Sequence, residues 1–170
     1  MDFVEDIKNG AIFIYPTDTI YGLGCDATNL ESVKIIKKLK YRDKDKPLSV
    51  IAPSLDWILE HCIVGDEVLE KYLPGPFTLI LKKKDENFLK DVSSGDSLGV
   101  RIPDSEFTEL VKRAGVPFIT TSVNFAGEPF AVKISEIDSK IMDAAEIVIG
   151  VGQLDGRPST LVIDGKEITR

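Results

Sequence analysis

Seven basic side chains crowd the stretch from Lys34 to Lys46 (Lys34, Lys37, Lys38, Lys40, Arg42, Lys44 and Lys46), against only Asp43 and Asp45. The segment carries a charge of +5 inside a chain whose formal net charge is −7. Cations packed this densely either share a solvated helix face or mark an anion site. Their place favours the second reading, because the cluster ends a helical stretch and runs into the connection before Pro47, and ligand sites of open α/β sheets collect in loops beyond strand ends. Lys40 and Arg42, two apart, could converge on one phosphate, the guanidinium gripping oxygens bidentately and the ammonium acting as a point charge.

A second candidate is Thr120-Thr121-Ser122-Val123-Asn124, which follows the apolar Phe118-Ile119. A strand end that turns into a loop exposes backbone N–H groups able to hold an anion, with Ser122 and Asn124 adding donors and acceptors. The same residues also serve simply to satisfy a turn, and the sequence leaves both roles open. Thr17-Asp18-Thr19 and Pro158-Ser159-Thr160 repeat the theme of hydroxyls at strand ends. Arg101 stands in the apolar run Leu98–Pro103, where a buried cation is costly unless paired, so a carboxylate ligand or an internal acid is expected beside it.

Other chemistries find little support. The two cysteines, Cys25 and Cys62, form no Cys-x-x-Cys pair, and the one histidine, His61, reads as a helix-face residue near Trp57. Cys25 reads as a small core residue, since thiolate chemistry needs an activating neighbour. Neither a P-loop nor a complete Gly-x-Gly-x-x-Gly after a strand is present. The acidic residues lack metal-ligand spacing, so no metal is expected to be held by protein alone, and any Mg²⁺ is expected to arrive with phosphates.

The elements that must position these residues alternate between β-like and helical runs, the pattern of an α/β domain. Strands are predicted at Ala11–Tyr15, Leu48–Ala52, Phe77–Leu81, Leu98–Ile102, Pro117–Thr121, Ile147–Gly150 and Thr160–Ile163. Thr17–Gly24 is expected as a loop, and Thr28-x-x-Glu31 as a capping box opening a helix with Val33, Ile36 and Leu39 at helical spacing that frays before Pro47. Further helices are predicted near Ser54–Cys62, Asp66–Leu73, Asp104–Ala114 and Ser135–Ala145. The polar stretch Lys82–Ser97 is expected as a mobile loop, and Ser122–Phe130 as a second loop. With 170 residues, 43% hydrophobic and 29% charged, the chain is expected to form one soluble domain over residues 1–170. A pI near 4.8 argues against a surface built throughout to grip nucleic acid or anionic membrane. An acidic start and the lack of a long apolar run predict a cytoplasmic protein without a membrane partner.

Taken in order, Tyr15-Pro16-Thr17-Asp18-Thr19-Ile20-Tyr21-Gly22-Leu23-Gly24, Lys40-x-Arg42, Lys46-Pro47-Leu48, Pro74-Gly75-Pro76-Phe77-Thr78, Val100-Arg101-Ile102-Pro103, Ser122-x-Asn124 and Ser159-Thr160 resemble the YrdC-like family of threonylcarbamoyl-AMP synthases in its single-domain form. The resemblance runs from about Ala11 to Asp164, and although each motif alone is weak, the ordered set is specific. It implies an α/β fold with a twisted open, mixed sheet and helices packed around a deep, concave, basic pocket. It also implies a reaction, in which L-threonine, bicarbonate and ATP give threonylcarbamoyl-adenylate and pyrophosphate, the first step of threonylcarbamoyladenosine modification of tRNA. A separate transferase would act downstream, and direct contact with tRNA or other RNA is left open. By position, the resemblance assigns Thr19, Arg101, Thr120 and Ser159 to threonine, and Lys40, Arg42, Lys46, Ser97, Ser122, Asn124 and Arg170 to ATP. Lys40 and Arg42 would act catalytically through charge, with no acid–base dyad, and Mg²⁺ would come with ATP, with no organic prosthetic group. Ile51 stands where many relatives carry a histidine, and Phe130 where many carry a small hydroxyl residue.

Three rival readings belong beside this one. A sister branch, YciO-like, shares the Pro-Thr-Asp start but tends to lack the Lys-x-Arg and Ser-x-Asn pair. An RNA-binding module could use the same concave basic surface. The related domain of hydrogenase-maturation carbamoyl transferases occurs within much longer proteins.

Overall fold

The computed structural model describes residues 1–40 and 46–170. In chain order its elements are α1 (Phe3–Lys8), β1 (Phe13–Tyr15), β2 (Gly22–Gly24), α2 (Leu30–Leu39), β3 (Ser49–Ile51), α3 (Leu55–His61), β4 (Cys62–Ile63), α4 (Asp66–Tyr72) and β5 (Phe77–Lys83). They continue with β6 (Ser97–Arg101), α5 (Glu106–Ala114), β7 (Phe118–Ser122), a 3-10 turn (Ile134–Glu136), α6 (Ser139–Ala144), β8 (Ile147–Val148), β9 (Thr160–Ile163) and β10 (Lys166–Ile168). Among the described residues the strands form one mixed sheet in the order β10-β9-β5-β6-β3-β7-β2-β1-β8, with β4 paired to β5. The pairs β1–β8, β3–β6 and β5–β9 are parallel, and the others are antiparallel.

Strand side chains alternate between faces, and directly opposed residues share one. The register therefore sorts the sequence into two surfaces. On one, Ile14, Leu23, Val50, Leu79, Val100 and Ile119 join Val33 and Ile36 of α2, Ile58 of α3, Leu69 of α4 and Ile141 of α6 in the larger core. On the other, Phe13, Tyr15, Ile51 and Phe118 pack against Val4 and Ile7 of α1 and Phe107, Val111 and Ala114 of α5. Tyr15 stacks on Phe107 at 4.1 Å between ring centres, and Phe118 meets both edge-on. Helix α5 is spaced for this, with its apolar residues four and three apart, and it ends on Gly115 at φ +72°, a left-handed conformation that glycine adopts without strain.

Beyond the aromatic cluster, the same face carries Gly22, Ser49, Thr78, Gly99, Thr120 and Ser122. These small and hydroxylated residues cannot fill the space that aromatics fill one row away, and the result is a hollow.

Several sequence expectations need correction. Residues 22–24 form β2, since glycine lets this strand lie close to β7: a Cβ on Gly24 would overlap the Ile119 carbonyl. Asn29, not Thr28, caps α2, accepting the Ser32 N–H at 3.2 Å, while the Thr28 hydroxyl donates to Asp26 Oδ1 at 2.7 Å. The expected helix at Ser135–Ala145 is divided into the 3-10 turn and α6, where Asp138 caps the Lys140 N–H. Strand β5 extends to Lys83, shortening the expected loop, and neither α1 nor β10 was foreseen from the sequence.

Candidate functional site

After Pro16 the chain folds back on a hydroxyl. Thr17 Oγ1 accepts the Thr19 N–H at 3.0 Å and donates to the Ile20 carbonyl at 2.7 Å, which fixes Thr19 at the mouth of the hollow. Arg101, at the end of β6 and 5% exposed, donates from Nη2 to Asp18 Oδ1 at 2.6 Å and from Nη1 to Thr19 Oγ1 at 3.4 Å. The other Asp18 oxygen accepts the Asp104 N–H at 2.9 Å, so of the two partners the sequence left open, a carboxylate ligand or an internal acid, the fold supplies the acid and anchors it. Burial pulls the Arg101 pKa below its ordinary value, Asp18 and the Tyr15 phenol oppose that pull, and the guanidinium stays charged. Its Nε is buried and has no hydrogen-bond partner among the described residues. A buried donor left unmet costs free energy.

Another part of the lining is built by Ser159. Its hydroxyl accepts from Arg170 Nη2 at 2.7 Å and lies 2.6 Å from the Thr78 hydroxyl, while Arg170 Nε donates to the Ser159 carbonyl at 3.0 Å. The irregular segment leading to Ser159 is tied across the hollow by Tyr21, whose hydroxyl donates to the Gly152 carbonyl at 2.7 Å and accepts the Val151 N–H at 3.0 Å. Gly156 lies on the Thr19 backbone so closely that a Cβ there would overlap the Thr19 carbonyl. These walls enclose a cavity of about 170 Å³ whose lining includes Thr17, Thr19, Ser49, Thr120, Ser122, Arg101 and Arg170. Arg101 and Arg170 are the charged residues of that lining among the described residues, so the hollow is basic within an acidic chain.

The expected nucleotide residues are distributed unevenly. Lys40, the C-cap of α2, is 2% exposed and turns its ammonium inward. It donates to the Ser122 carbonyl at 2.7 Å, to Asn124 Oδ1 at 2.8 Å and to the Asn124 carbonyl, while Ser122 Oγ donates to Asn124 Oδ1 at 2.6 Å. Lys40, Ser122 and Asn124 thus form one unit, with Ser122 at the cavity surface. Lys46 is exposed and Ser97 half-buried, and neither lies in the cavity lining. Arg42 falls outside the described residues. Thr19, Arg101, Thr120, Ser159 and Arg170 all line the cavity.

Register gives this distribution a pattern. Ser49 of β3 faces both Gly99 and Thr120, so continuing the ladders brings Pro47 level with Ser97 and Ser122. At the other end, Arg101 pairs with Ile51, and continuing β5–β6 brings Thr78 level with it. Arg101 and Ser159, expected at threonine, therefore stand at one end of this sheet face, with Arg170 beside Ser159. Ser97 and Ser122, expected at ATP, stand at the other, roughly 13 Å away along β6 at ~3.3 Å per residue, and Thr120 lies between.

Sequence reasoning missed Tyr21, Ser49 and Thr78 as cavity residues. Their alternation with apolar neighbours was visible, but which face was hollow was not. Ile51 packs in the aromatic core beside Arg101, and Phe130 is 39% exposed; neither lines the cavity. His61 stacks on Phe88 at 4.1 Å, as a helix-face residue would. Burial pushes the Cys25 thiol up and the Cys62 thiol up to about 11, so both stay protonated at neutral pH. Among the described residues no group of three His, Cys, Asp or Glu side chains is placed to hold a metal ion.

A family model named for Sua5, YciO and YrdC, with the description "Telomere recombination", matches residues 5–170. A Methanocaldococcus jannaschii protein provisionally named threonylcarbamoyl-AMP synthase is 35% identical over 162 residues, covering 93% of this chain and 76% of the relative. The mouse threonylcarbamoyl-AMP synthase is 34% identical over 137 residues, covering 78% of this chain and 49% of the mouse protein. The crystal structure of P. abyssi Sua5 complexed with L-threonine superposes with a TM-score of 0.82 at 25% identity, covering 94% of this chain and 49% of that one. The chain thus spans about half the length of the last two.

Proposed function

The chain belongs to the Sua5–YciO–YrdC family, and from that premise we propose that it synthesises threonylcarbamoyl-AMP from L-threonine, bicarbonate and ATP. The observation that carries the reading is Arg101: a buried, charged guanidinium with an unmet N–H, set in a hydroxyl-lined cavity and held in place by Asp18. With Asp18 as its countercharge, the guanidinium lines the cavity and offers charge-assisted donors to an amino-acid carboxylate. Thr19, Thr120 and Ser159 then receive the remaining polar groups of threonine.

In the proposed reaction the threonine amine adds to carbon dioxide, formed from bicarbonate with loss of water, to give a carbamate. A carbamate oxygen attacks the α-phosphorus of ATP and the bond to the β-phosphate oxygen breaks, releasing pyrophosphate. The two ligand ends of the sheet face would hold amine and phosphorus on a common line of approach, and such positioning replaces an acid–base dyad. Ser122 and Asn124, braced by Lys40, face the phosphates, with Ser97 and Lys46 at that end; the family resemblance adds Arg42, and Arg170 would reach the nucleotide from beside Ser159. Charge fixed in advance at the nucleotide end favours the transition state over the ground state. Mg²⁺ enters as the companion of ATP. An RNA-binding surface fits less well, because relatives matched over most of the chain are named threonylcarbamoyl-AMP synthases.

We place the reaction in the cytoplasm, ahead of a separate transferase acting on tRNA. Among the described residues no helix is long and apolar enough to cross a membrane. Incubation with labelled threonine, bicarbonate, ATP and Mg²⁺ tests the reading. Pyrophosphate release should require both threonine and bicarbonate and should match the labelled adduct one to one; release indifferent to threonine would refute it.

A further inference from the structure

Strand β5 ends on Lys83, a lysine 2% exposed and unforeseen by any motif. Its ammonium donates to the main-chain carbonyls of Glu86 at 2.8 Å, Phe88 at 3.0 Å and Ser93 at 2.8 Å. Three donors meet three acceptors, all from the single irregular segment 84–96. The lysine thus occupies the centre of that segment as a bound cation would, and the carbonyl dipoles supply the solvation that burial removes. The sheet itself has no need of a cation there, since Lys83 pairs with Cys62 through its backbone alone.

What the segment holds in turn is the nucleotide end of the cavity. The Val92 carbonyl accepts the Leu48 N–H at 2.9 Å, and Leu48 with Pro47 and Ser49 lines the cavity. The Ser93 hydroxyl donates to the Ser97 carbonyl at 2.6 Å, and the Lys83 N–H to the Asp96 carbonyl at 2.7 Å. The entries to β3 and β6, which stand level with Ser122, are therefore both fastened to the segment that Lys83 organises. We infer that Lys83 is a positioning residue: its buried ammonium orders residues 84–96 and thereby sets the Pro47–Leu48 wall against which the nucleotide binds. The assignment of that wall to nucleotide rests on the proposed function; the clamp itself does not.

Lys83→Met keeps the aliphatic stem and removes all three donors. Amide exchange at Leu48 should accelerate by about tenfold or more, while Ile119 in the central sheet keeps its protection. In steady-state assays KM for ATP should rise about fivefold with KM for threonine unchanged, a split that general loosening would not produce. If Lys83→Met does not fold, Lys83→Gln takes its place, offering two amide donors to three carbonyls, and the same two readouts decide. Unchanged Leu48 exchange overturns the clamp, and equal increases in both KM values overturn its link to the nucleotide. Wild-type protein that releases no pyrophosphate from ATP refutes the functional reading alone, and exchange at Leu48 still decides the clamp.

Discussion

Arg101 combines two demands that usually conflict. It is buried deeply enough to need a countercharge, which Asp18 supplies, and yet one of its N–H groups is left for something else. Lysine could answer the first demand but could not also reach Thr19 from a second, fixed nitrogen as the planar guanidinium does. Replacing it by alanine should therefore separate the two substrates. Loss of a charge-assisted contact worth ~1.5–3 kcal/mol should lower kcat/KM for threonine roughly 10- to 100-fold in Arg101→Ala. ATP affinity measured by calorimetry without threonine should stay within about twofold, because the nucleotide end lies a strand's length away. Parallel losses for both ligands would make Arg101 a structural residue of the sheet instead.

At the scale of elements, the segment between β8 and β9 shows how irregular chain can be held as firmly as a strand. Tyr21 provides both a donor and an acceptor to Val151 and Gly152, Leu154 donates to the Val132 carbonyl at 2.9 Å, and Gly156 rests on Thr19. Tyr21→Phe removes two of these bonds and keeps the ring in the core. Because Val151 and Gly152 are exposed, water replaces their partner and the stability loss should be small, about 1 kcal/mol. The position of Ser159 should suffer more: exchange at Val151 should quicken and KM for threonine should rise severalfold, whereas an unchanged Val151 amide would show that the strap holds itself. The same contrast explains what the sequence disclosed. Strand β1 was legible as a short apolar run buried on both faces, and helix α5 because its buried residues recur at helical spacing. Strand β2 was hidden by glycines that serve close approach, and the order of segment 84–96 was hidden because its polar side chains give no sign that its main-chain carbonyls fold around the buried Lys83 at the end of β5. Hydroxyls at strand ends flagged Thr19, Thr120, Ser122 and Ser159, but their division between two ends of a face is a property of register, which local sequence does not contain.

For the molecule as a whole, the core that supports the site also sets a limit at alkaline pH. Burial lifts the Cys62 thiol from its ordinary value near 9 to about 11, despite the opposing pull of Lys83 and Lys84, and it also raises Cys25 and Tyr15. Each of these groups keeps its proton longer in the folded chain than in the unfolded one. Between the two pKa values the unfolded state therefore binds fewer protons, and stability falls as pH rises. Lys83 acts in the opposite sense, since burial lowers its pKa and the unfolded chain then binds the extra proton. Arg101 is lowered as well, so three raised groups stand against two lowered ones, and the two thiols, whose ordinary value is near 9, set a downward direction. Urea unfolding followed across pH should give a stability that is level below the ordinary thiol value and declines as pH climbs from about 9 towards 11. Cys62→Ala should make that decline shallower without abolishing it, because Cys25 still titrates in the same sense. A profile level up to pH 11 in the wild-type protein would mean that the thiol ionises in the fold as readily as in the open chain, and that the packing around β4 and β5 admits water.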